Sequence, residues 1–496
     1  MRNGQTFAEP TRENCAHDSE WRRKVERQGN IESEQDAPFS LAGKTVIVGQ
    51  AYFERFAGSE IVALEIAEHF ESLGATVLVA TRVSGPPLMR EIVDKPRIRV
   101  FEWSSPELDE LIKAADIYLV WIQHHVIPPA IFELDPTPPV VFAHLSAIHP
   151  LEYPLLDSIE IALARSVQFT TSVAFTKMRE KGSLGGIDEK IVGVFPNPAP
   201  EQFHAPLSEK EPGATWDICL ISNHPPAELN EAISMLPDDV RITRVGRQGS
   251  KDSISERVTA ELLDKFDAVI TIGKSVQYAM LRAKPVYCYD HFGGPGWLGE
   301  DNVRQASKRN FSGRGFAKMD PSEIRDQLIN GFRPAREFAA NYVNTARKDY
   351  RLTWHLNSIA EAVTETRNSK HELDENQVTQ HIRLQELASR LSSDWASATR
   401  TAAREHDALV VAERKSRHMK RRWQDTLAQL KHEQEKLALK DQQLVTIVRE
   451  REELQKQLQL AHAGSVILSD ELEAMRRTVS WRLTAPLRRI RRIRRG

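Results

Sequence analysis

Residues 267–296 read DAVITIGKSVQYAMLRAKPVYCYDHFGGPG. Asp267 opens a short apolar run, Ala268 to Ile272, of strand length. Gly273-Lys274-Ser275 then makes a tight turn, and Val276 to Arg282 carries helix formers with an apolar face. Lys284-Pro285 ends that helix, and Val286 to Tyr289 is the next buried strand. The pattern is a β-α-β unit with parallel strands. In open α/β sheets ligands sit beyond the carboxyl ends of the strands, where two small-residue loops fall here: Gly273-Lys274-Ser275 and Asp290 to Gly296. The first also opens a helix, whose free N–H groups and dipole attract an anion. Lys274 adds a mobile positive charge and Ser275 a hydroxyl, so the turn reads as a diphosphate cradle. The plainer alternative makes Gly273 a turn residue and Ser275 an N-cap.

Two similar patterns fail. The Gly-Lys-Ser triplet would need a P-loop glycine at Ala268. Gly294 to Gly299 has dinucleotide-fingerprint spacing, but Glu300-Asp301-Asn302 follows where an apolar helix should begin. That segment reads as a flexible loop facing substrate.

Working outward, the chain has 496 residues, enough for two core-bearing domains with extensions. The net charge of -2 points to no particular partner. Cys15, Cys219 and Cys288 are far apart and form no CxxC pair, which argues for a reducing compartment and against structural zinc or a disulfide framework. There is no secretory signal and no apolar run of membrane-spanning length, so a cytoplasmic protein is expected.

Residues 1–40 are polar and aperiodic and read as a disordered arm. Thr45 to Gly49 is a strand, Gln50 to Gly58 a loop, and Ser59 opens a helix with Ile61, Val62, Leu64, Ile66, Ala67 and Phe70 on one broad stripe. Thr76 to Ala80 follows as a strand. Further strands are expected at Arg97 to Phe101, Ile117 to Trp121, Val140 to His144 and Gln168 to Thr171, with helices at Ser105 to Ala115 and Val173 to Lys181. This alternation makes 41–203 a first doubly wound domain and 204–215 a linker. A second occupies 216–333, with strands Asp217 to Ser222, Arg241 to Val245, Ala268 to Ile272 and Val286 to Tyr289. Its helices are Pro225 to Leu236, Ser253 to Phe266 and Val276 to Arg282. Residues 334–367 are expected to be helical and to cross both domains.

From 368 to 475 charge rises, and Leu430, Leu437, Leu444 and Leu458 mark a seven-residue seam interrupted at Arg451. Leu427 and Val448 fit its second line, while Gln434 and Asp441 blemish it. A long coiled coil is expected, joining homo-oligomer or assembly partners; a solvated single helix is the alternative. The tail, 476–496, ends WRLTAPLRRIRRIRRG, with seven arginines and no acid around Trp481, Leu483, Leu487, Ile490 and Ile493. It suits an anionic membrane surface, which would place the protein on the inner face of the cell membrane. Basic tails also bind nucleic acid, but no nucleic-acid fold accompanies this one and none is expected as partner.

This outline resembles the GT-B glycosyltransferases: two doubly wound Rossmann-like domains, a linker and trailing helices, here with a long α-helical coiled coil. Phe56-Ala57-Gly58-Ser59-Glu60 with Leu64 to Ala67 and Leu73 to Val77 is similar to the first glycine loop and helix of their group 1 (family 4). Phe142-Ala143-His144, Phe195-Pro196-Asn197-Pro198 and Tyr278-Ala279-Met280 with Lys284-Pro285-Val286 resemble later landmarks. The end of the chain, from Ser480 to Leu487, resembles tails found after coiled coils in bacterial surface-polysaccharide proteins. Two glutamates that the family carries fall on Ile270 and Tyr278 here, and no Asp-x-Asp pair exists for a metal-bridged reaction.

The resemblance implies a metal-independent transferase using a nucleotide-diphosphate sugar as donor, with no cofactor and a glycan or lipid-linked acceptor. Arg247, Gly273, Lys274, Ser275, Asp290, His291, Gly293 and Gly294 are then the donor-binding candidates. Gly58 and Ser59 are acceptor contacts, and His144 and Glu152 are candidate bases. The missing glutamates leave a second reading open: a degenerate module that binds nucleotide or glycan and scaffolds a complex. A sugar-nucleotide epimerase would need a carboxylate-rich cleft, which the sequence does not reveal.

Overall fold

The computed structural model describes residues 40–205, 216–246, 253–254, 256–365, 373–429, 448–457, 459–460 and 474. The Arg247 and arginine-tail expectations, the disordered arm up to residue 39 and the linker from residue 206 fall outside these residues, as do Leu430, Leu437, Leu444 and Leu458 of the seam.

The first sheet contains β1 (Thr45–Phe53), β2 (Thr76–Ser84), β3 (Ile98–Glu102), β4 (Ile117–Gln123), β5 (Val140–His144), β6 (Ala164–Phe169) and β7 (Val192–Val194). Its order is β3-β2-β1-β4-β5-β6-β7, parallel throughout, so the strand order reverses between β1 and β4. The helices of this half are α1 (Gly58–Ser72), α2 (Pro106–Ala114), α3 (Asp157–Leu163) and α4 (Ser172–Glu180). Val46 and Val48 enter one apolar layer and Ile47 the other, as the two-residue period of a doubly covered strand requires. Trp121 and Phe195 meet with centroids 5.1 Å apart, both essentially unexposed. Each such side chain contributes about 1.5–3 kcal/mol by leaving water.

The second sheet contains β8 (Trp216–Ile221), β9 (Val240–Val245), β10 (Ser253–Ile254), β11 (Ala268–Thr271), β12 (Val286–Asp290) and β13 (Gly293–Trp297), in the order β10-β9-β8-β11-β12-β13. Its helices are α5 (Ala227–Ser234), α6 (Ala260–Asp264), α7 (Lys274–Leu281), α8 (Val303–Ser307) and α9 (Pro321–Asn330). The mixed α/β architecture is therefore two doubly wound Rossmann-like domains. The strand order of this sheet reverses between β8 and β11.

Three local expectations are corrected. Residues 50–53 are not loop: β1 runs to Phe53 because Gln50 and Tyr52 keep pairing with Thr81 and Val83. The helix expected over 253–266 shrinks to α6, since Ser253–Ile254 pairs with β9 at the sheet edge. The flexible loop expected at 294–299 is largely β13, antiparallel to β12 with Tyr287 opposite Trp297. Its glycines serve close packing: a Cβ on Gly294 would lie 2.1 Å from the Cys288 carbonyl oxygen. Beyond them the chain forms two helices, α10 (Phe332–Asp349) and α11 (Leu352–Glu365), in the stretch expected to be helical and to cross both domains. Ala346 and Tyr350 pack in the second domain, whereas Leu352, Leu356 and Val363 join the first domain's core. The chain thus crosses back at Tyr350-Arg351.

The unit that holds both sheets extends to Ala402 and includes the start of α12 (Glu375–Gln429). Gln385, fully buried, accepts from the Ile127 N–H at 3.0 Å and donates to its carbonyl at 2.9 Å. Arg400 pairs with Glu54 at 2.8 Å, and Trp395 meets Tyr52 edge-on. The first turns of the expected coiled coil therefore belong to the first domain. Beyond Ala402, residues 448–457 are helical, with Val448 and Leu454 exposed. No helix among the described residues is long and apolar enough to cross a membrane.

Candidate functional site

The turn at Gly273 has the backbone the sequence implies, φ 60° and ψ −139°, and α7 begins at Lys274. Its surroundings differ from an open anion cradle. Lys274 is 8% exposed; its Nζ donates to the Pro198 carbonyl at 2.7 Å and lies 2.8 Å from the Glu65 carboxylate of α1. The Tyr278 hydroxyl donates to the other oxygen of Glu65. Gln277 donates to the Pro196 carbonyl at 3.1 Å and the Asn310 side chain at 3.2 Å. Arg257 forks onto Glu68 with two 2.7 Å bonds, and Lys95 reaches the same carboxylate at 2.8 Å. Burial draws Lys274 down and Glu65 up toward their neutral forms, and their contact opposes both shifts. Tyr278 lies well above the usual phenol range through burial and the Glu65 charge. The mobile charge expected at Lys274 is instead half of a buried ion pair joining the two domains. Ser275 is half-buried on the same turn.

The remaining second-domain candidates gather at the carboxyl end of β12. Asp290 ends that strand, half-buried. His291 is exposed and donates from Nε2 to the His224 carbonyl at 2.8 Å. Gly293 has φ 97°, and the Gly293 carbonyl oxygen lies 2.3 Å from where a Cβ on Gly313 would stand. Only glycine at 313 brings that loop so close to β13. The same approach delivers Arg314, whose guanidinium lies 3.8 Å from the centroid of exposed Phe292. Burial and neighbouring Arg309 lower the Arg314 pKa, against the pull of Asp290. Lys177 of α4, from the first domain, is lowered by burial and then by facing Arg309 and Arg314. Arg314 thus stands near Asp290, with Arg309 and the first domain's Lys177 close enough to act on its loop, and none of the three makes an ion pair within 4.0 Å among the described residues. Sequence reasoning missed Lys177, Arg309 and Arg314, which no local pattern distinguishes from solvated charges.

On the first domain, Gly58 is exposed at the start of α1, with open space around its Cα, and Ser59 accepts from Gln50 at 3.3 Å. Glu60, one residue on, accepts the N–H groups of Glu54 and Arg55 at 2.7 Å each. Burial pushes its carboxyl up to about 7.

His144 ends β5 and is 3% exposed. Its Nδ1 donates to the Glu152 carbonyl at 2.6 Å, and its Nε2 donates to Glu160 at 2.8 Å. Burial opposes the imidazolium, but Glu160 and Glu152 outweigh it and raise the His144 pKa. Burial alone would raise Glu160; His144 and His125 hold it down to about 2 instead. Glu152 is buried as well, accepting the Leu145 N–H at 2.8 Å and standing 3.3 Å from His124 Nε2. Both nitrogens of His144 are thus committed, which suits a positioning role better than proton transfer. His124 keeps Nδ1 without a protein partner, and its ring stacks beside exposed His149. His124 and His125 both hold left-handed backbone, φ 53° and 51°, a costly conformation that the packed side chains enforce. The signal that could have found them is two histidines directly after a buried strand, at its carboxyl end.

No group of His, Cys, Asp or Glu among the described residues is arranged to hold a metal ion. The sequence matches no protein family and no curated protein. The chain trace is similar to several solved structures. One is a glycosyltransferase from Rickettsia africae, 14% identical, with a TM-score of 0.46 over 66% of this chain and 100% of that one. Another is HepE of Anabaena in complex with UDP, 13% identical, TM-score 0.46, over 65% and 100%. A third is the glycosyltransferase SnogD from Streptomyces nogalater, 14% identical, TM-score 0.36, over 66% and 100%. Likeness at this level transfers no residue role.

Proposed function

We propose that the chain transfers a sugar from a nucleotide-diphosphate sugar to a glycan or lipid-linked acceptor, without a bridging metal, in cell-surface polysaccharide synthesis. The observation that carries this reading is Arg314 set over Phe292 just past the carboxyl end of β12, with Arg309 packed on the same glycine loop and Lys177 of the first domain facing both. Sugar transfer builds negative charge on the departing diphosphate, and fixed cations there stabilise the transition state. The three cations take the part assigned by sequence to Lys274. Asp290, His291, Gly293 and Gly294 border the donor, and Gly273 shapes the adjoining turn. Gly58 and Ser59 line the acceptor side. His124, oriented by Glu152, is the base that removes the acceptor proton, and His144 positions that carboxylate's loop. The arginine-rich tail holds the enzyme at an anionic membrane, and the coiled coil joins it to copies or partners.

A specific observation favours the scaffold reading. Tyr278, where the resemblance places a glutamate, is spent on Glu65 across the domains. Released nucleotide separates the two readings. Purified protein is titrated with nucleotide-sugars by calorimetry and followed for donor hydrolysis, beside Arg314→Ala. Binding with slow hydrolysis, both weakened at least ~10-fold in the variant, supports the transferase. Binding without turnover in the presence of candidate acceptors supports the scaffold.

A further inference from the structure

Under the first turns of α12, three basic side chains from three elements meet away from solvent. Arg82, near the carboxyl end of β2, is 6% exposed. Its Nη2 donates to the His124 carbonyl at 3.3 Å, while Nε and Nη1 are buried without a protein partner. His125, after β4, donates from Nε2 to Glu160 and leaves Nδ1 buried and unpartnered. His381 of α12 is fully buried, and neither of its ring nitrogens has a partner. Its ring lies 5.8 Å from that of His125 and 5.7 Å from Phe132. The cluster therefore holds five orphaned nitrogens and a permanent cation.

The carboxylates nearby are already engaged. Glu160 is shared by His125 and His144, and Glu54 lies against Arg55 and Arg400. A buried guanidinium without a counter-charge is strongly unfavourable, and so is each buried donor left unpaired. The cluster stands at the carboxyl ends of β2 and β4, flanking the point where the first sheet reverses its strand order. Crevices at such points are where doubly wound sheets take ligands. Arg82 Nε and Nη1, on different edges of the guanidinium, each keep a donor for an oxyanion oxygen, and neutral His381 donates to a further one.

We propose that Arg82 and His381, beside His125, form a binding site for a phosphate group, closed over by α12. The orphaned atoms are shielded from solvent, so admission requires the start of α12 to shift. The phosphate is either a free anion or the phosphate of a lipid-linked acceptor, and the site stands whether or not the donor reading holds.

The test uses the full chain with inorganic phosphate, against chloride at equal ionic strength. Thermal unfolding and calorimetry are read for the parent, Arg82→Leu and His381→Phe. The parent should gain several degrees in Tm at saturating phosphate, because the ligand binds the folded state alone. Without phosphate Arg82→Leu should be as stable as the parent or more so, since it removes an unmatched buried charge. Both variants should bind phosphate at least ~10-fold more weakly. Hydrogen exchange on the parent needs no variant and should slow over residues 125–127 and 378–385 when phosphate is added. Farnesyl monophosphate competing with phosphate would identify the lipid-linked source; phosphate binding alone would identify the free anion. The proposal is overturned by no phosphate effect on the parent, or by equal phosphate gains in parent and variants. It is also overturned if Arg82→Leu loses stability without phosphate.

Discussion

The contact between α1 and α7 and the cluster beneath α12 both bury cations, and they differ in what faces them. At the first, Lys274 meets Glu65 at 2.8 Å and Arg257 forks onto Glu68. Each cation has its carboxylate, and the tyrosine hydroxyl closes the network. At the second, Arg82 and His381 share five orphaned nitrogens with His125 and have no free carboxylate. Matched charge is architecture: it joins two domains and leaves nothing for a ligand to satisfy. Unmatched charge indicates a missing partner. The exposed and half-exposed cations near the end of β12 have no ion-pair partner among the described residues either.

The largest way to break this contrast is Lys274→Ala. It strands the Glu65 carboxylate in the interior and should cost about 3–5 kcal/mol in chemical denaturation. The double variant Lys274→Met with Glu65→Leu should recover most of that loss; if it does not, the pair is more than matched architecture. Glu160→Gln comes next. With its carboxyl held to about 2 against an ordinary 4.5, Glu160 supplies about 3 kcal/mol near neutral pH. A depressed acid stabilises above its unfolded value and loses that effect as pH falls. The gap between parent and variant should therefore close as pH drops from about 4.5 to about 2. Glu60→Gln should act in the opposite sense. A raised acid favours the fold below its unfolded value and penalises it as pH climbs through about 7, so the variant should be about 1–2 kcal/mol more stable at pH 8. That advantage should vanish near pH 4.5. Smallest in stability is Arg314→Ala, within about 0.5 kcal/mol of the parent, because its cluster is half-exposed and makes no ion pair.

The two sheets were legible because every central strand is a short apolar run between turn residues, from Thr45 to Gly49 through Val286 to Tyr289. The crossing at Tyr350 was half-legible: the helical pattern was plain, but the break shows only when Leu352 and Leu356 pack against the first domain. Strand β13 was hidden because Gly293, Gly294, Pro295 and Gly296 have loop composition, and only close backbone approach to Cys288 explains them. Lys274 was found and its setting was not. A lysine at a helix start looks the same whether it faces a phosphate or Glu65, 209 positions away in the folded contact with Lys274. The histidine cluster failed for the same reason. His124, His125, His144, Glu160 and His381 come from four segments, and no spacing rule links them.

The central claim is that the cations at β12 receive a nucleotide-diphosphate sugar. The most direct measurement is calorimetric titration of the full chain with a panel of such donors, run in parallel on Arg314→Ala. The account predicts that at least one donor binds the parent and binds the variant at least ~10-fold more weakly, with unchanged folding. A folded parent that binds no donor, or a variant that binds as tightly as the parent, would contradict it.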